Sequence, residues 1–527
     1  MKRWWLLGAL LALFSCTKEE EAPVLRAIVP DVYVVSLSDG GSAEIPFRVD
    51  SPDYAFNYTV GGTSCQIRLL LLGGKEPQEY ALKEVRALAE KGAYVAVVED
   101  CGLGRKYDSV ASLAISIGGG AFVRSVSITF RSDETSGGGM RTGLPTVYVN
   151  TENGRSILSK TTWVPATFAI QSTGSLPGLS TVSCSIRGRG NTTWTWPKKP
   201  YVVKLEQRTS VLGFPEHKRW ILLANFMDRT LMRNMVSMKV AAMMSFLAWT
   251  PHCQSVELVL NGSHMGNYLL IEQVRVDKNR VNITEMKKTD VSGTAVTGGY
   301  LLELDFHYDN EVQWKDHGIP FAVKYPEPED LTPQQKDYIK GYIAEVSAAL
   351  YGNDFADPAK GYAKYLDVDS FIDYWIVFEV MCNHELGNPG SVYFHKDRGG
   401  KLFAGPCWDF DWGVLSFYTS GGDRRLVNRH AIWYDRLFQD PAFLARAKAR
   451  LQEVLPQLQT IPDYMEECRA LLKDSAFLNF QLWDPAGDAS QNGGNIINGD
   501  ENLSFDAAVD RLKANYTTHL QLILDTL

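Results

Sequence analysis

Two aspartates separated by one residue lie in an aromatic-rich segment near residue 410. The segment reads GPCWDFDWG over residues 405–413, so that Asp409 and Asp411 alternate with large rings just after a predicted strand. Burying carboxylates without a counter-charge is costly, and a divalent cation relieves that cost, since Mg²⁺ prefers carboxylates together with phosphate oxygens. The segment therefore predicts a metal site on Asp409 and Asp411. The alternative is a pair of surface aspartates in an aromatic loop.

A second segment combines glycines with arginines and precedes a lysine on a predicted strand. It comprises Arg187, Gly188, Arg189 and Gly190, and Lys204 lies on the strand that follows. Glycine lets backbone N–H groups approach an anion, and guanidinium groups match phosphate oxygens. A strand-borne lysine after such a loop can reach the phosphates of a nucleotide. The pattern predicts a polyphosphate site, and the alternative is a solvated basic turn.

Two predicted strands carry acidic residues. Glu272 ends the strand GNYLLIE and is placed to pair with Lys204. Glu303 and Asp305 alternate in GGYLLELD, so they share one face of their strand. These carboxylates belong either to the predicted site or to an exposed strand face.

The loop NHELGNPG, residues 383–390, directly follows an apolar helical pattern. Glu385 supplies a carboxylate and Asn388 an amide, which together suit a general base and a metal ligand. The alternative is an ordinary turn rich in Asn, Gly and Pro.

A further polar group lies at a predicted strand-to-helix junction. It contains Asn225 and Asp228, followed by Arg229 and Arg233, which are four residues apart and share one helix face. The group is either part of the site or a helix cap with surface cations.

The elements that position these residues predict an α+β protein. Residues 22–131 consist of short Val- and Ile-rich segments typical of a β-sandwich of the immunoglobulin-like kind, interrupted by one short helix over residues 80–91. Residues 132–143 are rich in Gly and Ser and are interpreted as a linker. Residues 144–325 are again strand-rich, with one helix over residues 230–248. From about residue 330 the pattern is mainly helical, with predicted helices over 333–351, 368–383, 441–458 and 505–524 and a two-stranded insertion over 391–405.

The N-terminus resembles a bacterial lipoprotein signal. Lys2 and Arg3 precede an apolar run over residues 4–14, which is shorter than the roughly 20 residues that a spanning helix needs. The run ends at Leu-Phe-Ser-Cys16, which resembles a lipobox, so residues 1–16 are predicted to be a signal peptide with Cys16 as the lipidated residue. The following TKEEE resembles the export tag of surface lipoproteins in Bacteroidota. A lipid-anchored outer-membrane protein, exposed on the cell surface or facing the periplasm, is therefore expected.

Composition narrows the class of protein. The chain has 527 residues with 53 Lys and Arg against 61 Asp and Glu, a net charge of −8. This acidic balance argues against nucleic-acid binding. The eight cysteines have no CxxC spacing and form no Cys/His cluster, which argues against structural zinc.

Five motifs in order make the sequence resemble the CotH kinase family. They are RGRGN with KKPYVVK, LLANFMDRTLMRN, GNYLLIEQV, GGYLLELD and GPCWDFDWG, and together they span about residues 145–415. The resemblance implies that residues 144–527 form an atypical, two-lobed protein-kinase-like domain with a helical C-terminal part. It also implies phosphorylation of secreted or surface proteins with ATP and Mg²⁺ or Mn²⁺.

The resemblance assigns roles to the residues that match the motifs. Lys204 would hold the α- and β-phosphates, Glu272 would orient Lys204, and Asp409 would bind the metal beside Asp411. Gly188 and Gly190 would lie near the nucleotide. In the catalytic loop the family usually carries Asp followed by Asn, whereas this chain has Glu385 near Asn388. Two hypotheses are therefore kept. The protein is either a kinase or a non-catalytic surface lipoprotein, which would be a pseudokinase or a glycan- or protein-binding module.

Overall fold

Short Val- and Ile-rich segments form the strands of the N-terminal region. The computed structural model describes eight strand segments between residues 29 and 130 together with residues 88 and 89, and then residues 142–527 apart from 173, 308–311, 417–425, 484–497 and 501. The first eight strands are β1 (Val29–Pro30), β2 (Val34–Leu37), β3 (Ser42–Arg48), β4 (Cys65–Leu72), β5 (Tyr80–Ala87), β6 (Ala93–Asp100), β7 (Ser109–Ile117) and β8 (Phe122–Phe130). They form two four-stranded sheets, ordered β1-β3-β6-β5 and β2-β8-β7-β4. The packing of these sheets as a sandwich stays a prediction.

The helix predicted over residues 80–91 is wrong, because this segment is strand β5. It pairs antiparallel with β6, and its register shifts between Leu82 and Glu84. Leu82 and Val85 are apolar and three positions apart, a spacing that is also typical of one face of a helix. The register shift lies between them, and such a shift accommodates one extra residue in a strand. Pairing with a neighbouring strand decides the conformation here, as it often does against local pattern.

The signal peptide over residues 1–16, with Cys16, and nearly all of the linker lie outside the described residues. None of the helices in the described part of the chain combines the length and the apolar character that a membrane span requires.

Seven strands close into a barrel, which the sequence patterns do not predict. They are β9 (Thr146–Thr151), β10 (Val164–Gln171), β11 (Leu179–Gly188), β12 (Tyr201–Thr209), β13 (His217–Leu223), β14 (Cys253–Leu260) and β15 (Ser263–Glu272). Successive residues of β12 point to opposite faces, as strand geometry requires. Val203 and Leu205 lie in the barrel core, whereas Val202 packs into a second core shared with the helices.

A five-stranded sheet follows the barrel, in the order β17-β18-β16-β19-β20. Its strands are β16 (Tyr300–Leu304), β17 (Gln313–Asp316), β18 (Ile319–Tyr325), β19 (Val392–Lys396) and β20 (Leu402–Ala404). The helices are α1 (Thr192–Thr195), α2 (Arg233–Ala242), α3 (Pro333–Tyr351), α4 (Val368–Val380), α5 (Tyr434–Leu437), α6 (Pro441–Leu458), α7 (Ile461–Leu482) and α8 (Phe505–Thr526). The mixed α+β class is thus confirmed, whereas the division into kinase-like lobes stays a prediction.

Local signals explain where the helices begin. Thr332 and Gln335 form a capping box at the start of α3, and Pro333 occupies its first turn. Helix α2 is shorter than predicted and begins only at Arg233, because Asp228 stabilises a turn before it: its carboxylate accepts hydrogen bonds from the backbone N–H groups of Thr230 and Arg233. Helix α4 is buried on nearly all sides and forms the centre of the larger core.

Candidate active site

One pocket brings the RGRG segment and the aspartate pair together. The empty space in it, including space open to solvent, is about 270 Å³. Arg189 lines it from the end of β11, Asn225 from the end of β13, and Asp409 and Asp411 from the loop after β20. The remaining lining residues are Thr193, Trp196, Pro200, Leu223, Ala224 and Phe226. The structure therefore joins two segments that the sequence singled out more than 200 residues apart.

Backbone hydrogen bonds hold the aspartate loop in place. The N–H of Phe410, between the two aspartates, donates to Asn234 Oδ1 of α2 over 2.8 Å. Asn498 Nδ2 donates to the carbonyl of Asp411 over 3.2 Å, and Asn498 Oδ1 accepts from the N–H of Gly413 over 3.1 Å. The Phe410 ring lies in the core, so that the flanking carboxylates face the pocket.

The pocket carries an excess of negative charge. Burial, followed by the charges of Asp409 and Asp228, raises the pKa of the Asp411 carboxyl to about 8, and Arg189 opposes this rise. Burial and the charges of Asp409, Asp411, Glu303 and Asp305 likewise raise the pKa of Glu385 well above its usual range. Crowded, partly buried carboxylates of this kind are stabilised by a bound cation.

Asn225 is a candidate ligand that the sequence analysis did not assign to the metal. It is 3% exposed, and its Oδ1 atom is buried without a hydrogen-bond partner in the described part of the chain. Its backbone φ of 48° turns the chain at the end of β13, where it lines the pocket beside Asp409 and Asp411. An orphaned amide oxygen next to two carboxylates fits the oxygen ligands that Mg²⁺ prefers.

The described residues contain no group of three or more His, Cys, Asp or Glu side chains that converges on one metal position. A cation in this pocket would therefore have two carboxylates and an amide as protein ligands. Mg²⁺ usually takes only one or two carboxylates and completes its shell with phosphate and water. The donor set of this pocket thus fits that ion.

Glu385 and Asn388 occupy different environments. Glu385 lies in a short 3₁₀ turn, where its N–H donates to Asn383 Oδ1 over 2.9 Å, and its Oε2 atom is buried without a hydrogen-bond partner among the described residues. The charges that raise its pKa place it near the aspartate pair. Neither residue is among those that line the pocket, and Asn388 is exposed. Its role as a metal ligand stays a prediction.

The two glycines of the RGRG segment make room for side chains of helix α1. A Cβ atom on Gly188 would overlap the Trp194 ring, and one on Gly190, whose φ is +86°, would overlap Thr193 Oγ1. The N–H of Gly188 already donates to Ser159 O, and that of Arg189 to Pro200 O. These two amides are therefore not available to a phosphate, whereas the Arg189 side chain, which lines the pocket, is a candidate for anion binding.

Each arginine of the segment stacks on a tryptophan. The Arg189 guanidinium lies 5.6 Å from the ring centre of Trp408, next to the aspartate pair. The guanidinium groups of Arg187 and Arg219 lie 4.8 Å from the same Trp163 ring. Two guanidinium groups beside one ring make this part of the surface locally positive, so each of them repels the other.

Lys204 extends this positive surface. Lys204 of β12 pairs with Arg219 of β13. Arg187 of β11 pairs with Val202, which lies two residues before Lys204 on β12. Residues opposite each other share a face of the sheet, so Lys204, Arg187 and Arg219 lie on the same outer face. Burial, followed by the charges of Arg275 and Arg187, lowers the pKa of Arg219 to about 10.

We call Arg187, Lys204, Arg219 and Arg275 the basic face. Arg275 has an ion-pair partner in Glu327. Lys204 is exposed. The face begins at Arg187, near the end of β11 and two residues before Arg189, and therefore lies next to the pocket.

The predicted ion pair between Lys204 and Glu272 is not formed between these described residues. Glu272 is fully buried and accepts hydrogen bonds from the N–H and, over 2.8 Å, the Nδ1 atom of His252. It pairs across the sheet with Trp220, which lies in the barrel core, whereas Lys204 pairs with Arg219 on the outer face. Consecutive residues of β13 point to opposite faces, so Glu272 and Lys204 lie on opposite sides of the sheet.

The described residues thus form a mixed α+β protein in which a basic face lies beside a partly buried carboxylate pair. A comparison with protein families matches the CotH kinase protein family over residues 186–514. Because the match covers more than half of the sequence, the chain belongs to the CotH kinase family, and its domain is kinase-like. The matched residues include Arg189, Asn225, Glu385 and both pocket aspartates. No curated protein matches the sequence significantly.

Proposed function

We propose that the protein is a surface-anchored protein kinase that transfers the γ-phosphoryl group of ATP to a secreted or surface protein with Mg²⁺ or Mn²⁺. The observation that carries this proposal is the pocket in which Arg189 faces Asp409 and Asp411. Membership in the CotH kinase family supports the same reaction. Phosphoryl transfer depends mainly on positioning and charge stabilisation, and the pocket has groups for both.

The residues divide into two binding functions. Asp409, Asp411 and Asn225 would hold the divalent cation, which when bound supplies positive charge to the phosphate oxygens. Arg189 and the basic face would bind phosphate oxygens directly, because guanidinium groups match their geometry. The acidic and basic groups thus fit the two charged components of a metal–nucleotide complex.

Glu385 is the proposed general base. In the reaction the hydroxyl oxygen of the acceptor forms a bond to the γ-phosphorus while the bond from phosphorus to the ADP oxygen breaks, and the hydroxyl proton passes to the Glu385 carboxylate. A base works best when its pKa lies near the working pH. The raised pKa of Glu385, caused first by burial, supports this role.

The proposal is tested by nucleotide binding and by transfer of labelled phosphate. Thermal shift of the wild-type protein with ATP and Mn²⁺ should exceed the shift with either alone, and labelled γ-phosphate should appear on the protein or on an added acceptor. Asp411→Asn should lose both effects. Asp354→Asn, which changes an exposed aspartate that pairs with Lys360 away from the pocket, should keep both. A wild-type protein without any metal-dependent ATP shift would refute the proposal.

A pseudokinase is the second candidate, because Glu385 stands where the family usually has Asp. A glutamate is one methylene longer, and a misplacement of about 1 Å can cost ~100-fold in rate. Metal-dependent binding of ATP without any transfer of phosphate would favour this candidate. Binding of a glycan or protein in the absence of nucleotide binding would favour a purely adhesive surface lipoprotein.

Anchoring through Cys16 is proposed from the sequence of residues 1–16. A lipidated N-terminal cysteine would hold the protein at a membrane through buried acyl chains. Cys16→Ser should then release the protein from the membrane fraction and abolish incorporation of labelled fatty acid. A Cys16→Ser variant that still fractionates with the outer membrane would contradict this part of the proposal.

A further inference from the structure

The polar groups of the pocket account for the phosphates of a nucleotide but not for its base. Its polar lining, Asp409, Asp411, Asn225 and Arg189, suits phosphate oxygens and a cation. The ribose of a nucleotide whose phosphates bind here separates its base from these polar groups, so the base needs a contact of its own.

An exposed tryptophan lies next to the pocket. Trp412 directly follows Asp411, and its side chain is 44% exposed. Its ring is nearly parallel to that of Trp196, with 6.4 Å between centroids and 8° between planes. Trp196 is itself a lining residue and packs against Phe226, with 5.9 Å between ring centroids. The two tryptophans therefore continue the aromatic wall of the pocket outwards.

The backbone on both sides of Trp412 is held by one side chain. Asn498 donates to the carbonyl of Asp411 and accepts from the N–H of Gly413. Asn498 Nδ2 also donates to the carbonyl of Met227 over 2.9 Å, which ties the loop to the turn after Phe226. An exposed indole on a backbone fixed in this way is pre-organised for stacking, because little conformational freedom is lost on binding.

We propose that Trp412, supported by Trp196, is the stacking platform for the base of the nucleotide whose phosphates bind at Asp409, Asp411 and Arg189. This inference rests on the proposed function. A purine presents a large π-face, and base stacking on an aromatic side chain tolerates different bases. The platform thus selects a nucleotide over an inorganic polyphosphate without selecting strongly between bases.

The test compares ATP with inorganic tripolyphosphate, which carries the phosphates but no base. Isothermal titration of the full-length protein with Mg²⁺ present should show both ligands binding to the wild type. Trp412→Ala should weaken ATP by about 10- to 100-fold and tripolyphosphate by less than about twofold. Trp412→Phe should recover most of the ATP affinity. Tyr351→Ala is the matched control, since Tyr351 is also 44% exposed and also stacks on a neighbouring ring, that of His317, away from the pocket.

The outcomes separate this inference from the proposed function. A wild type that binds neither ligand would overturn both. A wild type that binds both ligands, with Trp412→Ala weakening them equally or not at all, would overturn the platform and leave the phosphate site standing. A variant with unchanged ATP affinity but a raised KM for the protein acceptor would assign Trp412 to the acceptor and would also refute the proposal.

Discussion

Arg189 and Asp411 line the same pocket from opposite parts of the fold. Arg189 follows barrel strand β11, whereas Asp411 lies in the loop after β20 of the five-stranded sheet. The guanidinium lowers the pKa of a carboxyl that burial and Asp409 raise to about 8. One arginine thus balances only part of the charge of two crowded carboxylates.

Removing the Asp411 charge should stabilise the metal-free protein at alkaline pH. A carboxyl whose pKa is raised by folding binds its proton more tightly in the native state, so stability falls as pH rises from about 4 towards 8. Asp411→Asn should therefore raise Tm by a few degrees at pH 8.5 and by clearly less at pH 5. Differential scanning fluorimetry at both values, with Asp354→Asn as control, measures this. A lower Tm at pH 8.5 would show that the Asp411 carboxylate stabilises the fold.

Asn225 should contribute to metal affinity, and Asn388 should not. Asn225→Ala removes the buried Oδ1 atom beside the aspartates. It should weaken Mn²⁺ binding by at least about tenfold, because loss of a residue that only supports a metal ligand already weakens metal binding by about that factor. Asn388→Ala changes an exposed side chain outside the pocket and should leave binding unchanged. Titration with Mn²⁺ alone, followed by electron paramagnetic resonance, compares the two. The reverse result would restore the ligand predicted from the sequence.

Lys204, which lies on the outer face of the barrel, should contribute to phosphate binding by the basic face. Lys204→Ala should weaken tripolyphosphate binding several-fold at low salt, with a smaller effect at high salt, because screening weakens exposed charges. Lys218→Ala is the matched control, because Lys218 is also exposed. It directly precedes Arg219 of the basic face in β13 and therefore points to the other side of that strand. Equal losses in both variants would indicate general attraction by positive charge.

Glu385 should be needed for transfer but not for nucleotide binding. Glu385→Gln keeps the size of the side chain and removes its basicity, so the rate should fall by roughly 10²- to 10⁴-fold while the thermal shift with ATP and Mn²⁺ persists. The wild-type rate should rise with pH as the Glu385 carboxyl, whose pKa is raised first by burial, loses its proton. A Glu385→Gln variant with the wild-type rate would exclude Glu385 as the base.

Much of this protein follows from local sequence. The alternating and helical patterns predict an α+β chain, and helix α3 has the predicted bounds because Thr332, Pro333 and Gln335 cap it locally. Asp409 and Asp411 are recognisable because their aromatic neighbours are unusual beside two carboxylates. The family was likewise predictable from motifs in order, and the match over residues 186–514 confirms it.

Tertiary structure decided which of the singled-out residues meet. Asn225 lines the same pocket as Asp409 because the end of the barrel lies beside the loop after β20, and no local pattern encodes that proximity. Lys204 and Glu272 are separated by strand pairing: their partners, Arg219 and Trp220, are consecutive and point to opposite faces. Local sequence determines the periodicity of an element, whereas the register between distant strands determines which faces and which charges come together.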